Sequence, residues 1–356
     1  MSPRELNQKI RFVASKDGTR IATATTGTGP PIVRAAHWLT HVSHDIESPV
    51  WRHWIEALSS QNTLIRYDLR GCGLSQRDVP DIGFDAWLAD LEAATEDIEA
   101  PFTLLGMSQG GALSIAYALK HPERVERLVL IGAYAQGLRA RESSPQSTTE
   151  AETLTNLIRL GWGQKNNAFN RVFTNLFIPE GTPEQQSWWQ DLERETTSPE
   201  NAALIFEVLQ RIDILEMLPS LSVPTLVMHA RRDARIPFAE GKRLAEQIPG
   251  AQFVPLNSAN HVLLESEPAW AAFQSSFRDF LQQAPNKDLC TADASLTKAE
   301  TGVLDLVAEG LSNAEIATAL NKSEKTVRNQ VSTLYEKFGV HSRAELIVRV
   351  LSAARD

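Results

Sequence analysis

From about residue 10 to residue 283, short apolar runs alternate with longer stretches of helical spacing. That alternation is the sign of strands and helices taking turns in a mostly parallel sheet. The predicted strands span 31–36, 63–67, 102–105, 127–131, 224–229 and 252–254. Between about 134 and 221 the rhythm breaks. This stretch is polar, helical in tendency and holds Trp162, Trp188 and Trp189, which predicts a helical cap inserted into an α/β core. Residues 284–295 are polar and unpatterned and read as a linker. The pattern thus divides the chain into an α/β domain (1–283), the linker, and an all-α domain (296–356).

The all-α domain carries its own punctuation. Capping boxes at Thr297-x-x-Glu300, Ser312-x-x-Glu315 and Ser342-x-x-Glu345 start helices, and Gly310 and Gly339 sit where helices stop. Ser323 can cap a further helix, in which Val327, Val331 and Leu334 recur at i, i+4 and i+7 as a stripe to be buried. Lys325, Arg328, Asn329 and Ser332 fall together on another face. A short basic and polar face, on a helix that follows another after a brief turn, suits the major groove of DNA. Arg328 and Asn329 can bond base edges in two places, whereas Lys325 and Thr326, near the helix start, suit phosphates.

The net charge of −9 runs against a DNA partner until it is located along the chain. Residues 295–356 carry eight Lys/Arg and eight Asp/Glu, so the whole excess of acid lies upstream. Within 321–337, Lys322, Lys325, Arg328 and Lys337 outnumber Glu324 and Glu336. Attraction to phosphate is therefore local, which favours specific sites over coating. A length of 356 residues fits two domains, and 42% apolar with 22% charged residues is the composition of a globular chain. The longest apolar runs, such as Leu128-Val129-Leu130-Ile131, have strand length, far below the roughly 20 residues a bilayer needs. The start, Met1-Ser2-Pro3-Arg4-Glu5, has no signal-peptide stretch, and Cys72 and Cys290 cannot make a disulfide framework. The expectation is a cytoplasmic protein with no membrane contact.

The α/β domain carries catalytic signals. Gly106-Met107-Ser108-Gln109-Gly110 follows an apolar strand and precedes the helix-like Gly111–Tyr117 stretch, the strand–turn–helix setting of a nucleophile elbow. A serine nucleophile needs a base, and the base an orienting acid. Asp233 follows the strand that ends at His229, and His261 follows the next strand. Asp213 is a weaker acid candidate because no strand precedes it, and His229 on its strand suits a core or pocket position. His37, His41, His44 and His53 cluster, but their irregular spacing and the lack of a nearby carboxylate set read as loop and pocket residues rather than metal ligands.

These motifs resemble two families. Leu296-Thr297-x-x-Glu300-x-x-Val303-Leu304, Glu309-Gly310-Leu311-Ser312-Asn313-x-Glu315-Ile316-Ala317, Ser323-x-Lys325-Thr326-Val327-Arg328-Asn329 and Phe338-Gly339-Val340-x-Ser342-Arg343-Ala344 resemble the LuxR/GerE helix-turn-helix family. The resemblance implies a four-helix unit with Arg328, Asn329 and Ser332 facing bases, and a last helix that often serves dimerisation. Gln330 stands where that family usually has a histidine. The upstream part resembles the α/β-hydrolases in its Ser108, Asp233, His261 order, in Pro237, in Glu265-x-x-Pro268 and in the Asp68-Leu69-Arg70-Gly71-Cys72-Gly73-Leu74-Ser75 loop. That resemblance implies a triad of Ser108, His261 and Asp233, an oxyanion hole from the amides of Leu39 and Gln109, and a ligand pocket at His37, Trp38 and Met107. Trp38 departs from it, because His-Gly is usual where this chain has His37-Trp38. Cap tryptophans are expected to line an apolar pocket.

Two functions, and a mixture of them in which slow hydrolysis ends or transforms the signal, remain open on the sequence. One is a DNA-binding regulator, a homodimer on a two-fold site, responding to a small, largely apolar ester- or lactone-like ligand. The other is a serine hydrolase of an ester, lactone or thioester, to which DNA binding is secondary. Neither calls for an organic cofactor or a metal.

Overall fold

The computed structural model describes residues 6–141, 145–164, 168–283, 298–308, 311–338, 340, 343 and 346. It divides into two compact units, Met1–Ala284 and Pro285–Asp356. The expected linker lies outside the described residues, as do Thr297, Gly310, Gly339, Ser342 and Glu345.

The first unit opens with β1 (Gln8–Ala14), β2 (Arg20–Thr26), β3 (Pro31–Arg34), α1 (Arg52–Ser59) and β4 (Thr63–Tyr67). It continues through α2 (Phe84–Thr95), β5 (Phe102–Met107), α3 (Gln109–Lys120) and β6 (Val125–Ile131). Five helices follow: α4 (Leu138–Arg141), α5 (Pro145–Gly161), α6 (Ala168–Phe177), α7 (Pro183–Thr196) and α8 (Pro199–Arg211). The unit closes with β7 (Thr225–Ala230), α9 (Phe238–Gln247), β8 (Gln252–Leu256) and α10 (Pro268–Gln282). Among the described residues the strands form one sheet in the order β1-β2-β4-β3-β5-β6-β7-β8.

Every pairing from β4 through β8 is parallel. Strands β5 and β7 are buried along their whole length, which is why they read as unbroken apolar runs: crossover helices cover both faces of a parallel sheet. The pairs β1–β2 and β2–β4 are antiparallel. These first two strands were not among the six expected from the sequence. β1 is a mostly exposed edge in which Lys9 and Arg11 interrupt the apolar positions, so it gives no apolar run to detect. Helices α4 to α8 form the inserted cap between β6 and β7. Its helix starts are locally encoded: Thr182 and Gln185 make a capping box for α7, and Ser198 caps α8.

The loop after β3 rests on a buried charge cluster. Asp45 Oδ2 lies 3.3 Å from Arg34 Nη2 and 3.4 Å from Arg66 Nη1, with all three side chains almost fully buried. Asp68 accepts hydrogen bonds from the Val42 N–H at 2.7 Å and the Leu74 N–H at 2.8 Å. The segment following β3 is thereby tied to the sheet at both ends.

His53, on α1, sets an acid limit on this domain. It is buried, with Nε2 3.1 Å from the Leu263 carbonyl, and burial pushes it down to about 4. The unfolded chain therefore binds this proton more readily than the folded one. Stability is fully present above the ordinary histidine value of about 6.5 and falls as pH drops from there towards 4. The shift corresponds to about 3 kcal/mol for this residue, and buried His37 and His229 act in the same direction. Melting temperature measured from pH 7.5 to pH 4.5 is expected to fall, and less steeply in His53→Gln; parallel curves for the two proteins would remove His53 as a cause.

The second unit contains α11 (Lys298–Ala308), α12 (Asn313–Ala319) and α13 (Glu324–Phe338). Val303, Val307, Ile316, Val327, Val331 and Leu334 close its core. The Ser312–Glu315 capping box is formed on α12, and Ser323 Oγ accepts the Thr326 N–H at 3.1 Å at the start of α13. Between these helices Asn321 takes a left-handed conformation, φ 51°, which asparagine tolerates better than most residues.

Candidate active site and DNA-binding face

Ser108 sits at the turn from β5 into α3 with φ 52° and ψ −128°. A non-glycine residue there stores strain, of order 1–3 kcal/mol, which the surrounding structure must hold in place. The glycines around it make the turn sterically feasible. A Cβ on Gly106 would come within 2.6 Å of the Gly110 carbonyl oxygen, and one on Gly110 within 3.0 Å of the Ala36 carbonyl oxygen. The Ser108 N–H donates to the Ile131 carbonyl at 3.0 Å, locking the turn onto β6.

Asp233 and His261 lie on the loops that leave β7 and β8. His261 Nδ1 is 2.8 Å from Asp233 Oδ2, while Asp233 Oδ1 accepts the backbone N–H groups of Arg235 at 2.8 Å and Ile236 at 2.9 Å. Burial alone would raise the Asp233 carboxyl, but the charge and hydrogen bond of His261, with His229 and the Ile236 N–H, hold it below the usual carboxylate range. The acid is thus kept ionised beside the imidazole. His229 is buried next to it, with Nε2 3.0 Å from the Ile236 carbonyl and 3.6 Å from Asp233 Oδ2. Asp213 is exposed and accepts a hydrogen bond from Gln136.

Ser108 and His261 line one small cavity together with His37, Trp38, Trp51, Met107, Phe177, Trp189 and Val262. The three residues expected in a pocket from the sequence, His37, Trp38 and Met107, are all in its wall. Its volume is about 10 Å³, room for about one water molecule. Of the cap tryptophans, Trp189 lines it, Trp162 meets Trp38 edge to face at 5.5 Å, and Trp188 stacks on His44 at 5.0 Å. Trp51 and Phe177 have no sequence motif: one ends the loop before α1, the other ends α6, and only tertiary folding brings them here.

The polar groups of this wall have fixed roles. His37 is held well below the ordinary histidine value by burial and by the charge of Arg34, so it is a neutral imidazole. Its Nδ1–H donates to the Trp38 carbonyl at 2.8 Å, which leaves buried, unpartnered Nε2 as an acceptor. The Trp38 and Trp51 indole N–H groups are also buried without a partner. Leu39 is buried and left-handed, φ 59°, an unusual state for a γ-branched residue. Gln109 is the first residue of α3, where a backbone N–H has no intrahelical acceptor.

The cap is bonded to the histidine loop. The Phe177 carbonyl, at the end of α6, accepts both the His261 N–H at 2.9 Å and the Val262 N–H at 3.2 Å. The Glu180 N–H donates to Asn260 Oδ1 at 3.0 Å. Among the described residues His37, His41, His44 and His53 make no metal-binding group with a cysteine or carboxylate, and no helix is long and apolar enough to cross a membrane.

In the second unit, Lys325, Thr326, Arg328, Asn329 and Ser332 are all exposed on α13, opposite buried Val327, Val331 and Leu334. Arg328 Nη2 donates to Glu324 Oε1 at 3.1 Å one turn back, an exposed pair of small strength. The Thr326 hydroxyl is 2.7 Å from Ser323 Oγ. Gln330 accepts from Lys322 Nζ at 2.9 Å, so the residue that departs from the family pattern anchors a lysine at the start of the helix.

A parallel sheet with a capped serine elbow, an acid and a histidine on successive strand-end loops defines the class. The chain belongs to the alpha/beta hydrolase fold family, whose model matches residues 39–268, and residues 294–350 match the luxR family of bacterial regulatory proteins. The chain therefore joins an α/β-hydrolase domain to a helix-turn-helix DNA-binding module of LuxR type. Over 247 residues it is 28% identical to the pimeloyl-[acyl-carrier protein] methyl ester esterase of Nitrosomonas europaea, covering 68% of this chain and 93% of the relative. Over 271 residues it is 25% identical to the pyrrolizixenacetamide deacetylase of Xenorhabdus hominickii, covering 72% and 94% respectively. The esterase EaEST of Exiguobacterium antarcticum superposes with a TM-score of 0.65 at 24% identity, covering 76% of this chain and 98% of that one, a likeness of fold.

Proposed function

We propose that this chain is a cytoplasmic, DNA-binding regulator that senses a small, largely apolar ester- or lactone-like ligand in its α/β-hydrolase pocket. The observation that carries the DNA reading is the exposed face of α13, where Lys325, Arg328, Asn329 and Ser332 project opposite the buried stripe. A reading helix of this kind is short, and its neutral module supplies little non-specific attraction, so two copies on a two-fold site are the arrangement that gives useful affinity. The sensing reading rests on the closed cavity. At about 10 Å³ it admits no ligand unless the cap moves, and the cap's α6 end is hydrogen-bonded to the backbone of His261 and Val262. A ligand that fits only the opened state shifts the population towards it.

The same cavity supports a second reading, hydrolysis, favoured by the 2.8 Å contact between Asp233 and His261 and by the strained Ser108. Ser108 Oγ attacks the ligand carbonyl while His261 takes its proton. Asp233 holds the imidazole in the tautomer that leaves Nε2 free to do so. The Leu39 and Gln109 amides receive the oxyanion, and His261 returns the proton to the leaving alcohol before water releases the acid. Slow turnover of this kind would end a signal that the regulator has read.

For the DNA face, Arg328→Ala is expected to weaken binding to the specific promoter by about 1–3 kcal/mol in a gel-shift titration. Glu324→Ala, which frees Arg328 and removes a carboxylate from the same face, is expected to tighten it. Unchanged binding in Arg328→Ala would displace the reading helix from α13.

A further inference from the structure

A second small cavity, about 20 Å³, has Tyr134, Arg141, Phe206, Gln210 and Arg235 in its wall. It adjoins the Ser108 cavity: Phe206 meets Trp38 edge to face at 5.8 Å, and Arg235 stands two residues beyond Asp233. Its polar groups are short of partners. Arg141 Nε and Nη1 are buried with no hydrogen bond, as is Gln210 Oε1. The Tyr134 hydroxyl makes only a long, 3.4 Å contact with the Leu209 carbonyl. The Arg235 guanidinium lies over the Phe206 ring at 5.3 Å.

Among the described residues the charges around it do not balance. Glu240 Oε1 is 3.7 Å from Arg141 Nη1 and 3.8 Å from Arg243 Nη1, so one carboxylate is shared between two guanidinium groups. Asp233 is engaged by His261, and Glu150 on α5 is exposed. Burial lowers the Arg235 guanidinium from its usual value, and the nearby charge of Arg141 adds to this against the opposing pull of Tyr134, Asp233 and Glu150. A buried donor left without an acceptor has lost its hydration and gained nothing in return. An acceptor that arrives with a ligand recovers that cost.

We propose that Arg141 and Arg235, with the Tyr134 hydroxyl, receive a carboxylate of the small molecule whose ester or lactone end reaches Ser108. The inference rests on the reading of the Ser108 cavity as a ligand site. Planar guanidinium groups match a carboxylate in paired hydrogen bonds. Trp38, in the place of the usual glycine, forms with Phe206 the partition between the two cavities, and their displacement joins the cavities into one elongated site. The ligand class is then a carboxylic acid with an apolar chain and an acyl ester or lactone at its far end.

The test reads binding without turnover. The full chain carrying Ser108→Ala is melted with monomethyl esters of the dicarboxylic acids from succinic to suberic, and with the matching neutral dimethyl esters. At the chain length that fits, the half-ester is expected to raise the melting temperature by about 2 °C or more and the diester not to. Arg141→Gln and Arg235→Gln should each remove the shift, while Arg141→Lys, which keeps charge and bulk, should retain part of it and so guards against a folding defect. Equal shifts from half-ester and diester, shifts that survive both glutamine variants, or no shift at any chain length would overturn the proposal. Fluorophosphonate labelling of the unsubstituted chain tests Ser108 separately: a label without acid-dependent stabilisation removes the anion site alone, and stabilisation without a label removes hydrolysis alone.

Discussion

Ser108→Ala is expected to abolish covalent labelling of the full chain by a fluorophosphonate, and Asp233→Asn to slow labelling by about a thousand- to ten-thousandfold. The argument runs through the imidazole. Ionised Asp233 accepts the proton on His261 Nδ1 at 2.8 Å, which obliges Nε2 to carry the lone pair that takes the serine proton. An asparagine at 233 can present its N–H₂ to Nδ1 instead, and the stable tautomer then places the proton on Nε2, where it blocks the base. The acid's other oxygen accepts the Arg235 and Ile236 N–H groups, so the asparagine oxygen is best placed there and its nitrogen faces His261. Labelling rates in gel measure both substitutions against the parent. A rate for Asp233→Asn within a few-fold of the parent would mean that His261 is not oriented by this residue.

What the sequence disclosed about this site follows from which contacts are local. Ser108 is legible because glycines two residues to either side mark its turn: Gly106 is required by a 2.6 Å approach to the Gly110 carbonyl oxygen inside the turn itself, whereas the 3.0 Å approach of the Ala36 carbonyl oxygen to Gly110 comes from a distant segment. Asp233 and His261 are legible because they stand directly after apolar strands. The α13 face is legible because helical periodicity alone separates Val327, Val331 and Leu334 from Arg328 and Asn329. The rest depends on distant partners. Trp51 and Phe177 meet in one cavity from segments far apart in the chain, and nothing near either announces it. The same holds for β1, whose pairing with β2 is visible only once the hairpin is closed. Arg141 looks like a surface residue in Leu138-Arg139-Ala140-Arg141, yet two of its side-chain nitrogens are buried without a hydrogen bond. Trp38 is a middle case. Its departure from the usual glycine is visible in the sequence, but its role needs Trp162 and Phe206, both cap residues, to be folded against it.

The largest loss of stability is expected from Asp45→Ala, about 3–5 kcal/mol in a denaturant titration that monitors the α/β-hydrolase domain. Arg34, Arg66 and Asp45 expose 2%, 1% and 1% of their side chains, so water cannot take over the role of a missing charge. Burial raises the Asp45 carboxyl, while the charges of Arg34 and Arg66 oppose that shift and favour its ionised form. Deleting it leaves two guanidinium groups buried together. Asp68 cannot take its place, because its oxygens already accept the Val42 and Leu74 N–H groups, and burial pushes it up to about 7. Arg34 also lies at the end of β3 with its guanidinium 5.0 Å from the Trp51 ring, so a shift there reaches the wall of the Ser108 cavity. The double variant Asp45→Ala, Arg34→Met, which removes one positive charge and fills its volume, is expected to recover much of the loss. A single variant as stable as the parent would show that the cluster is hydrated and adds little to holding the segment that carries His37 to Leu39.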